Sequence, residues 1–238
     1  MNKNEFIEEL NKININISEE ELNKFETYKE LLKESNKKFN LTSIVDDENI
    51  YLKHFYDSLC LSKAISKKDV KSIIDIGTGA GFPGIPLAII YPNVNITLLE
   101  SNAKKCTFLK EVVDKLNLTN VNIINERAEI YAKNNREKYD VATSRAVSNL
   151  SVLLEIEIPL VKENGYFLPL KAHIEEELEE SKSIIKELDV EIESIIKYTL
   201  PKENSERTIL IIKKNKKTNS KYPREYNKII KDLKKRQN

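Results

Sequence analysis

The sequence predicts an α/β fold: a doubly wound, mostly parallel sheet with an N-terminal helical cap and a C-terminal antiparallel hairpin. Three observations predict it. From residue 72 onward, apolar runs of strand length alternate with helical patterns. A glycine-rich loop, Gly77-Thr78-Gly79-Ala80-Gly81, directly follows the first of those runs. Near the end, two strand-like segments are joined by Pro201 to Glu206, a connection too short for a crossover helix.

Residues 1–66 read as the helical cap. Asn4 is placed to cap a first short helix carrying Phe6, Ile7 and Leu10. Ser18 and Glu21 form a capping-box pattern ahead of Leu22, Phe25, Tyr28, Leu32 and Phe39, which recur at helical spacing. A turn, NLTSIVDDEN, precedes a third helix expected over 50–65. Residues 67–213 read as the sheet domain. Strands are expected over 72–76, 95–100, 121–125, 139–144 and 166–171. Helices are expected near 83–91, 102–116, 149–160 and 174–188. The stripe Leu109, Val112, Val113 and Leu116 marks the second of these as amphipathic. Segments 190–200 and 207–213 are expected to pair as the hairpin. Residues 214–238 read as a basic tail.

Hydrophobic residues make up 40% of the 238, enough for a sizeable core. No apolar run approaches membrane-spanning length, and MNKNEFIEELNK is too polar for a signal peptide. Cys60 and Cys106 are isolated, which suits a reducing cytoplasm and offers no metal site. The net charge of +1 hides an asymmetry. From Lys213 to Asn238 there are eleven Lys and Arg against two Asp and Glu, which leaves the rest of the chain at −8. An acidic body with a basic tail points to a polyanionic partner, whereas the bland alternative is a solvated terminus.

In doubly wound sheets, ligands bind outside the carboxyl ends of the strands. Glycines there let the backbone turn and let a ligand approach the main chain. Gly79 to Gly84 matches a dinucleotide fingerprint, G-x-G-x-x-G, but this frame starts two residues late. The better frame is Asp75 to Gly81, D-x-G-x-G-x-G. An acidic residue ahead of the first glycine suits the ammonium and sulfonium of S-adenosylmethionine better than an anionic pyrophosphate. Glu100 ends the second strand, where a carboxylate can accept both ribose hydroxyls of either cofactor.

Beyond the loop, the chain resembles the bacterial small-subunit ribosomal RNA methyltransferase G family, also called glucose-inhibited division protein B. The resemblance rests on Asn40-Leu41-Thr42-Ser43, Lys53-His54-Phe55-Tyr56-Asp57-Ser58, Asp75 to Pro86, Arg127-Ala128-Glu129, Ser144-Arg145-Ala146 and Lys221-Tyr222-Pro223-Arg224, in family order over nearly the whole chain. It implies a seven-stranded, Rossmann-like class I S-adenosylmethionine-dependent methyltransferase. It implies methyl transfer to N7 of guanine 527 of 16S rRNA, with free rRNA or the small ribosomal subunit as partner and a monomeric, cytoplasmic enzyme. It also implies cofactor contacts at Gly77, Phe82, Ala128, Glu129 and Arg145, to which Glu100 is added at the level of the class. After Arg224 the family often continues with Gly-x-Pro, where this chain has Glu225-Tyr226-Asn227.

Each position has a plainer reading. Phe82 can be a core aromatic, although its place in the loop favours packing beside the cofactor. Glu129 can serve only the dipole of its helix. Arg145 can be a surface ion pair, or can hold the cofactor carboxylate or an RNA phosphate. His54 and Asp57, one helical turn apart, are expected to be structural, and Cys106 to be packing. No catalytic side chain is assigned, because guanine N7 carries a lone pair and no proton. The tail and the cap are the expected RNA grips. Tail removal is expected to spare cofactor binding, since the crevice is built elsewhere. A dinucleotide oxidoreductase lacks a convincing dyad here, and a non-catalytic RNA-binding protein would not need the full loop.

Overall fold

The computed structural model describes residues 1–236; Gln237 and Asn238, the end of the expected tail, lie outside the described residues. Its sheet has seven strands: β1 (Ser72–Ile76), β2 (Asn95–Glu100), β3 (Val121–Asn125), β4 (Tyr139–Arg145), β5 (Val161–Lys171), β6 (Val190–Leu200) and β7 (Ser205–Lys214). The spatial order is β3-β2-β1-β4-β5-β7-β6. The first five strands pair in parallel, in the registers Ile74↔Thr97, Leu98↔Ile123, Ile74↔Ala142 and Ala142↔Phe167. β7 runs antiparallel between β5 and β6, with Phe167↔Ile212 and Ile195↔Leu210. The expected hairpin forms, and its second strand, not its first, joins the parallel sheet.

Chain order reverses between β1 and β4, so a crevice opens at their carboxyl ends. The central strands are apolar because helices cover both faces. One face packs Ile73, Ile96, Leu98 and Val141 against α6 (Gly84–Ile90), α7 (Ala103–Lys115) and the N-terminal helices. The other packs Ile74, Ile76, Ala142 and Phe167 against α8 (Ala128–Asn134), α9 (Leu150–Glu157) and α10 (Glu175–Leu188).

The N-terminal region holds α1 (Lys3–Lys12), α2 (Glu19–Phe39) and three short helices, α3 (Asp47–Asn49), α4 (Asp57–Leu59) and α5 (Ser62–Ile65). Asn2, and not Asn4, caps α1, because its side chain accepts from the Glu5 amide while Glu5 reaches back to the Asn2 amide. At α2 the Ser18–Glu21 box closes at 3.2 and 2.8 Å. The helix expected over 50–65 is broken: Ile50–Tyr56 is wound as a π-helix between α3 and α4. The wider turn suits a stretch buried nearly all round, with Ile50, Tyr51, Leu52, His54, Phe55 and Tyr56 all inside. Phe55 is fully buried and meets Phe25 at 5.0 Å, Tyr28 at 5.4 Å and Tyr51 at 5.5 Å between ring centroids.

The end of the chain is docked. Lys214, expected to begin the tail, is the last residue of β7 and is fully buried. Its ammonium reaches Val161 O at 2.6 Å, Ile158 O at 3.1 Å and Glu137 at 3.2 Å. Arg136 donates to the carbonyls of Thr218, Asn219 and Tyr222. A helix, α11 (Tyr226–Arg236), then lies on α9, with Ile229 buried beside Val152 and Ile156.

The aromatic cluster makes cap and sheet one packing unit. Phe55→Ala is expected to cost about 3–5 kcal/mol, the range for truncating a buried ring. Urea unfolding should still show one transition, displaced to lower denaturant. A transition unmoved within error would show that the cap packs independently of Phe55.

Candidate functional site

The loop after β1 is held from beneath by one carboxylate. Asp75 Oδ2 accepts from the Thr78 hydroxyl at 2.6 Å and from the Gly84 amide at 2.7 Å, so it joins the start of the loop to the start of α6. Asp75 is wholly buried, and its Oδ1 has no partner among the described residues. Burial pushes its carboxyl up to about 7, against the pull of those two donors. Gly77 has φ +64°, a conformation that side chains rarely adopt, and a Cβ there would stand 2.9 Å from Val147 Cγ2. Glu100 is 6% exposed and accepts from the Gly79 amide at 3.0 Å and the Asn102 amide at 2.8 Å, one bond per oxygen. It therefore shapes the loop, and each oxygen keeps lone-pair capacity toward a ligand.

Two cavities adjoin along this sheet edge. One, of about 150 Å³, is bounded by Gly77, Leu99, Ala128, Glu129, Val152 and Tyr226. The other, of about 640 Å³, is bounded by Lys53, His54, Asp57, Arg145, Lys171 and Arg207. Ser148 lines both, in the loop between β4 and α9. Gly77, Ala128 and Glu129 are thus brought together, and Arg145 stands in the neighbouring chamber. Glu129 lies in the first turn of α8 and its carboxylate accepts from Arg127 Nε at 2.7 Å. Glu100 and Phe82 line neither cavity.

Phe82 points into the helical cap, not along the crevice. It is 6% exposed and stacks on His54 at 4.3 Å and 10° and on Tyr28 at 5.3 Å and 27°. The Tyr28 hydroxyl donates to Ala80 O at 2.5 Å, tying the same loop to α2. The Phe82 ring therefore stands in the joint between loop and cap.

Arg145 ends β4 and is bound to the cap. Its Nη1 donates to Lys53 O at 2.8 Å and to Asp57 Oδ2 at 3.2 Å, and Nη2 faces His54 Nδ1 at 3.3 Å. A guanidinium only donates, so His54 Nδ1 accepts and its Nε2–H donates to the Thr42 hydroxyl at 2.9 Å. Burial, and secondarily Arg145, hold His54 neutral by lowering its pKa to about 3. Asp57 also accepts from the Tyr198 hydroxyl at 2.7 Å. His54 and Asp57 are each held by these bonds, and they also wall the larger cavity.

Sequence reasoning missed Lys171, Arg207 and Tyr226. Lys171 ends β5, a strand-end position that points to the crevice. Its ammonium binds Ser148 O at 2.5 Å and Glu177 at 2.7 Å. Tyr226 lay inside a segment read only for its charge.

A glycine loop over an acidic residue, a carboxylate ending β2 and a β5-β7-β6 end with β7 inserted antiparallel define a class I S-adenosylmethionine-dependent methyltransferase. Fold comparison agrees: a SAM-dependent methyltransferase from Aquifex aeolicus superposes with a TM-score of 0.52 at 16% identity, over 76% of this chain and 98% of that one. The family described as rRNA small subunit methyltransferase G matches residues 21–210. Ribosomal RNA small subunit methyltransferase G of Bacillus licheniformis and that of Bacillus subtilis are each 44% identical over 227 residues, covering 94% of this chain and 95% of theirs. The chain belongs to the rRNA small subunit methyltransferase G family.

Asp75 carries a testable consequence. Its folded pKa lies above the unfolded value, so the native state binds the extra proton and stability falls as pH rises from about 4 through about 7. Asp75→Asn keeps an oxygen for Thr78 and Gly84 but cannot ionise. The variant's Tm relative to the unsubstituted protein should therefore rise between pH 5 and pH 8. A difference constant with pH would mean that Asp75 ionises freely in the fold.

Proposed function

We propose that this chain transfers a methyl group from S-adenosylmethionine to N7 of one guanine of 16S rRNA, guanine 527 in the usual numbering, as a monomer in the cytoplasm. One observation carries the reading. The glycine-loop cavity and a larger chamber walled by Lys53, Arg145, Lys171 and Arg207 meet at Ser148, on the switch point of a methyltransferase sheet. Family membership supplies the substrate class. No helix of the described residues is long and apolar enough to cross a membrane, and both cysteines are free.

The residues present fit the cofactor. The positive-φ turn at Gly77 exposes backbone, the buried Asp75 Oδ1 lacks a partner, and Glu100 keeps lone-pair capacity beside Gly79. Gly77, Ala128 and Glu129 would hold the nucleoside, and Glu100 the ribose hydroxyls. When bound, S-adenosylmethionine supplies a methyl group on a sulfonium. Three N–H groups of Arg145 engage the cap, so Nε–H and a second Nη2–H are left for a carboxylate or phosphate. Phe82 supports this arrangement by fixing the loop, and its place within the loop keeps it beside the cofactor.

The chain's own part in the chemistry is orientation. Guanine N7 attacks with its lone pair, so no side chain must take a proton, and alignment of the base against the methyl provides the acceleration. His54 suits this, being held neutral and shared between Thr42 and Arg145. Unstacked RNA bases are read in such chambers, while phosphates are held by cations outside them. The exposed lysines between residues 216 and 235 provide the phosphate contacts.

At saturating cofactor, the single-turnover rate on 16S rRNA should be nearly flat from about pH 6 to pH 9, where an essential His or Cys base would titrate. A steep basic limb abolished by one substitution would point to methylation of an amine or hydroxyl.

Arg145→Ala should weaken cofactor or RNA binding at least tenfold, and Arg145→Lys should restore only part, because an ammonium lacks the planar fork. Equilibrium binding to each ligand checks this. Full rescue by Lys would reduce Arg145 to a point charge.

A further inference from the structure

The C-terminal segment, read from sequence as an RNA grip separate from the crevice, forms part of the crevice. Tyr226, the first residue of α11, lines the glycine-loop cavity together with Gly77 and Ala128. It also lines an outer, open chamber of about 580 Å³ together with Arg127 and Glu129. The Arg127 guanidinium lies 5.2 Å from the Tyr226 ring centroid, so this pair stands between the inner cavity and the outer one. At about 150 Å³ the inner cavity is below the range of about 300–1,000 Å³ usual for a whole ligand of this size. It matches one end of such a ligand, with the rest extending past the wall.

The position of Tyr226 is fixed by residues on both sides of it. Arg224 grips Glu155 with a fork, Nε to Oε1 at 2.7 Å and Nη2 to Oε2 at 2.8 Å, and its Nη1 reaches Asp232 at 2.6 Å. The Glu155 side chain is 2% exposed, so the carboxylate of this pair is shielded while the Arg224 side chain is partly exposed. Ile229, one turn further on, is buried against Val152 and Ile156. The same α9 turns Val152 and Ile156 toward the inner cavity and holds the tail. The aromatic Tyr226, the aliphatic Val152 and Ile156 and the small Ala128 meet in the wall of the inner cavity, a lining suited to a flat heteroaromatic ring.

Resting on the proposed cofactor, we infer that Tyr226 is a cofactor-binding residue whose ring covers the adenine of S-adenosylmethionine, and that docking of residues 222–236 on α9 sets this wall. Two functions then share one segment. Whatever RNA does to the docked tail changes cofactor affinity, and cofactor must change RNA affinity by the same factor.

Calorimetry on the full chain tests this with S-adenosylmethionine and with adenosine as titrants. Tyr226→Ala and Tyr226→Leu should each weaken both about tenfold, the scale of a lost base–aromatic stack. Tyr226→Phe should retain binding, since the ring and not the hydroxyl makes the contact. Arg224→Ala should reproduce the loss by undocking the wall, and trypsin should cut after Lys228 more slowly when cofactor is present. Unchanged affinity in a folded Tyr226→Leu protein would overturn the inference, as would a loss in Arg224→Ala not shared by the Tyr226 variants. Failure of the unsubstituted protein to bind S-adenosylmethionine would instead overturn the parent reading along with it.

Discussion

The carboxyl edge of this sheet depends on how Phe82 is held. The ring leaves the glycine loop and stacks between His54 and Tyr28, both from the cap. The Tyr28 hydroxyl binds Ala80, and Arg145, from the other side of the crevice, binds His54 and Asp57. Loop, cap and β4 thereby fix one another. A loop of glycines has little intrinsic preference for one shape. Here the shape is imposed by a buried carboxylate beneath the loop, Asp75, and an aromatic clamp beside it. The helical cap is therefore part of the site's geometry as well as a candidate RNA surface.

That arrangement divides labour among charged groups. Asp75 and Glu100 spend their bonds on backbone amides and a hydroxyl, and so act first as scaffold. His54 is held in one neutral tautomer. Arg145 is half committed to the cap and half available. A reaction that requires no proton transfer tolerates this, because the demand is for fixed distances and not for a poised base. The same economy extends to the tail, where Arg224 and Ile229 are used for docking.

Much of the fold was legible in the sequence. β1 and β2 read directly because they are central, almost wholly buried and largely apolar. β5 begins at Val161, five residues before its expected start, because Lys162-Glu163-Asn164 are exposed and read as loop. The insertion of β7 between β5 and β6 is a non-local pairing that no short-range pattern encodes. The break at Ile50–Tyr56 was hidden for the opposite reason: a helix buried all round has no polar stripe to reveal its pitch. Of the site, Gly77, Ala128 and Glu129 converge on one cavity and Arg145 stands in the next, since strand ends announce themselves. The direction of Phe82 was not legible, because a loop aromatic carries no periodicity. Tyr226 was masked by the charge around it.

The central claim is that this edge methylates one guanine of 16S rRNA at N7. The most direct measurement is mass-spectrometric mapping of 16S rRNA from cells with and without the gene, with purified protein and S-adenosylmethionine added back to the unmodified RNA or subunit. The account predicts a single N7-methylguanine that disappears with the gene and returns on incubation with the protein. An unchanged modification map, or a methyl group restored at an amine, a hydroxyl or a different base, would contradict it.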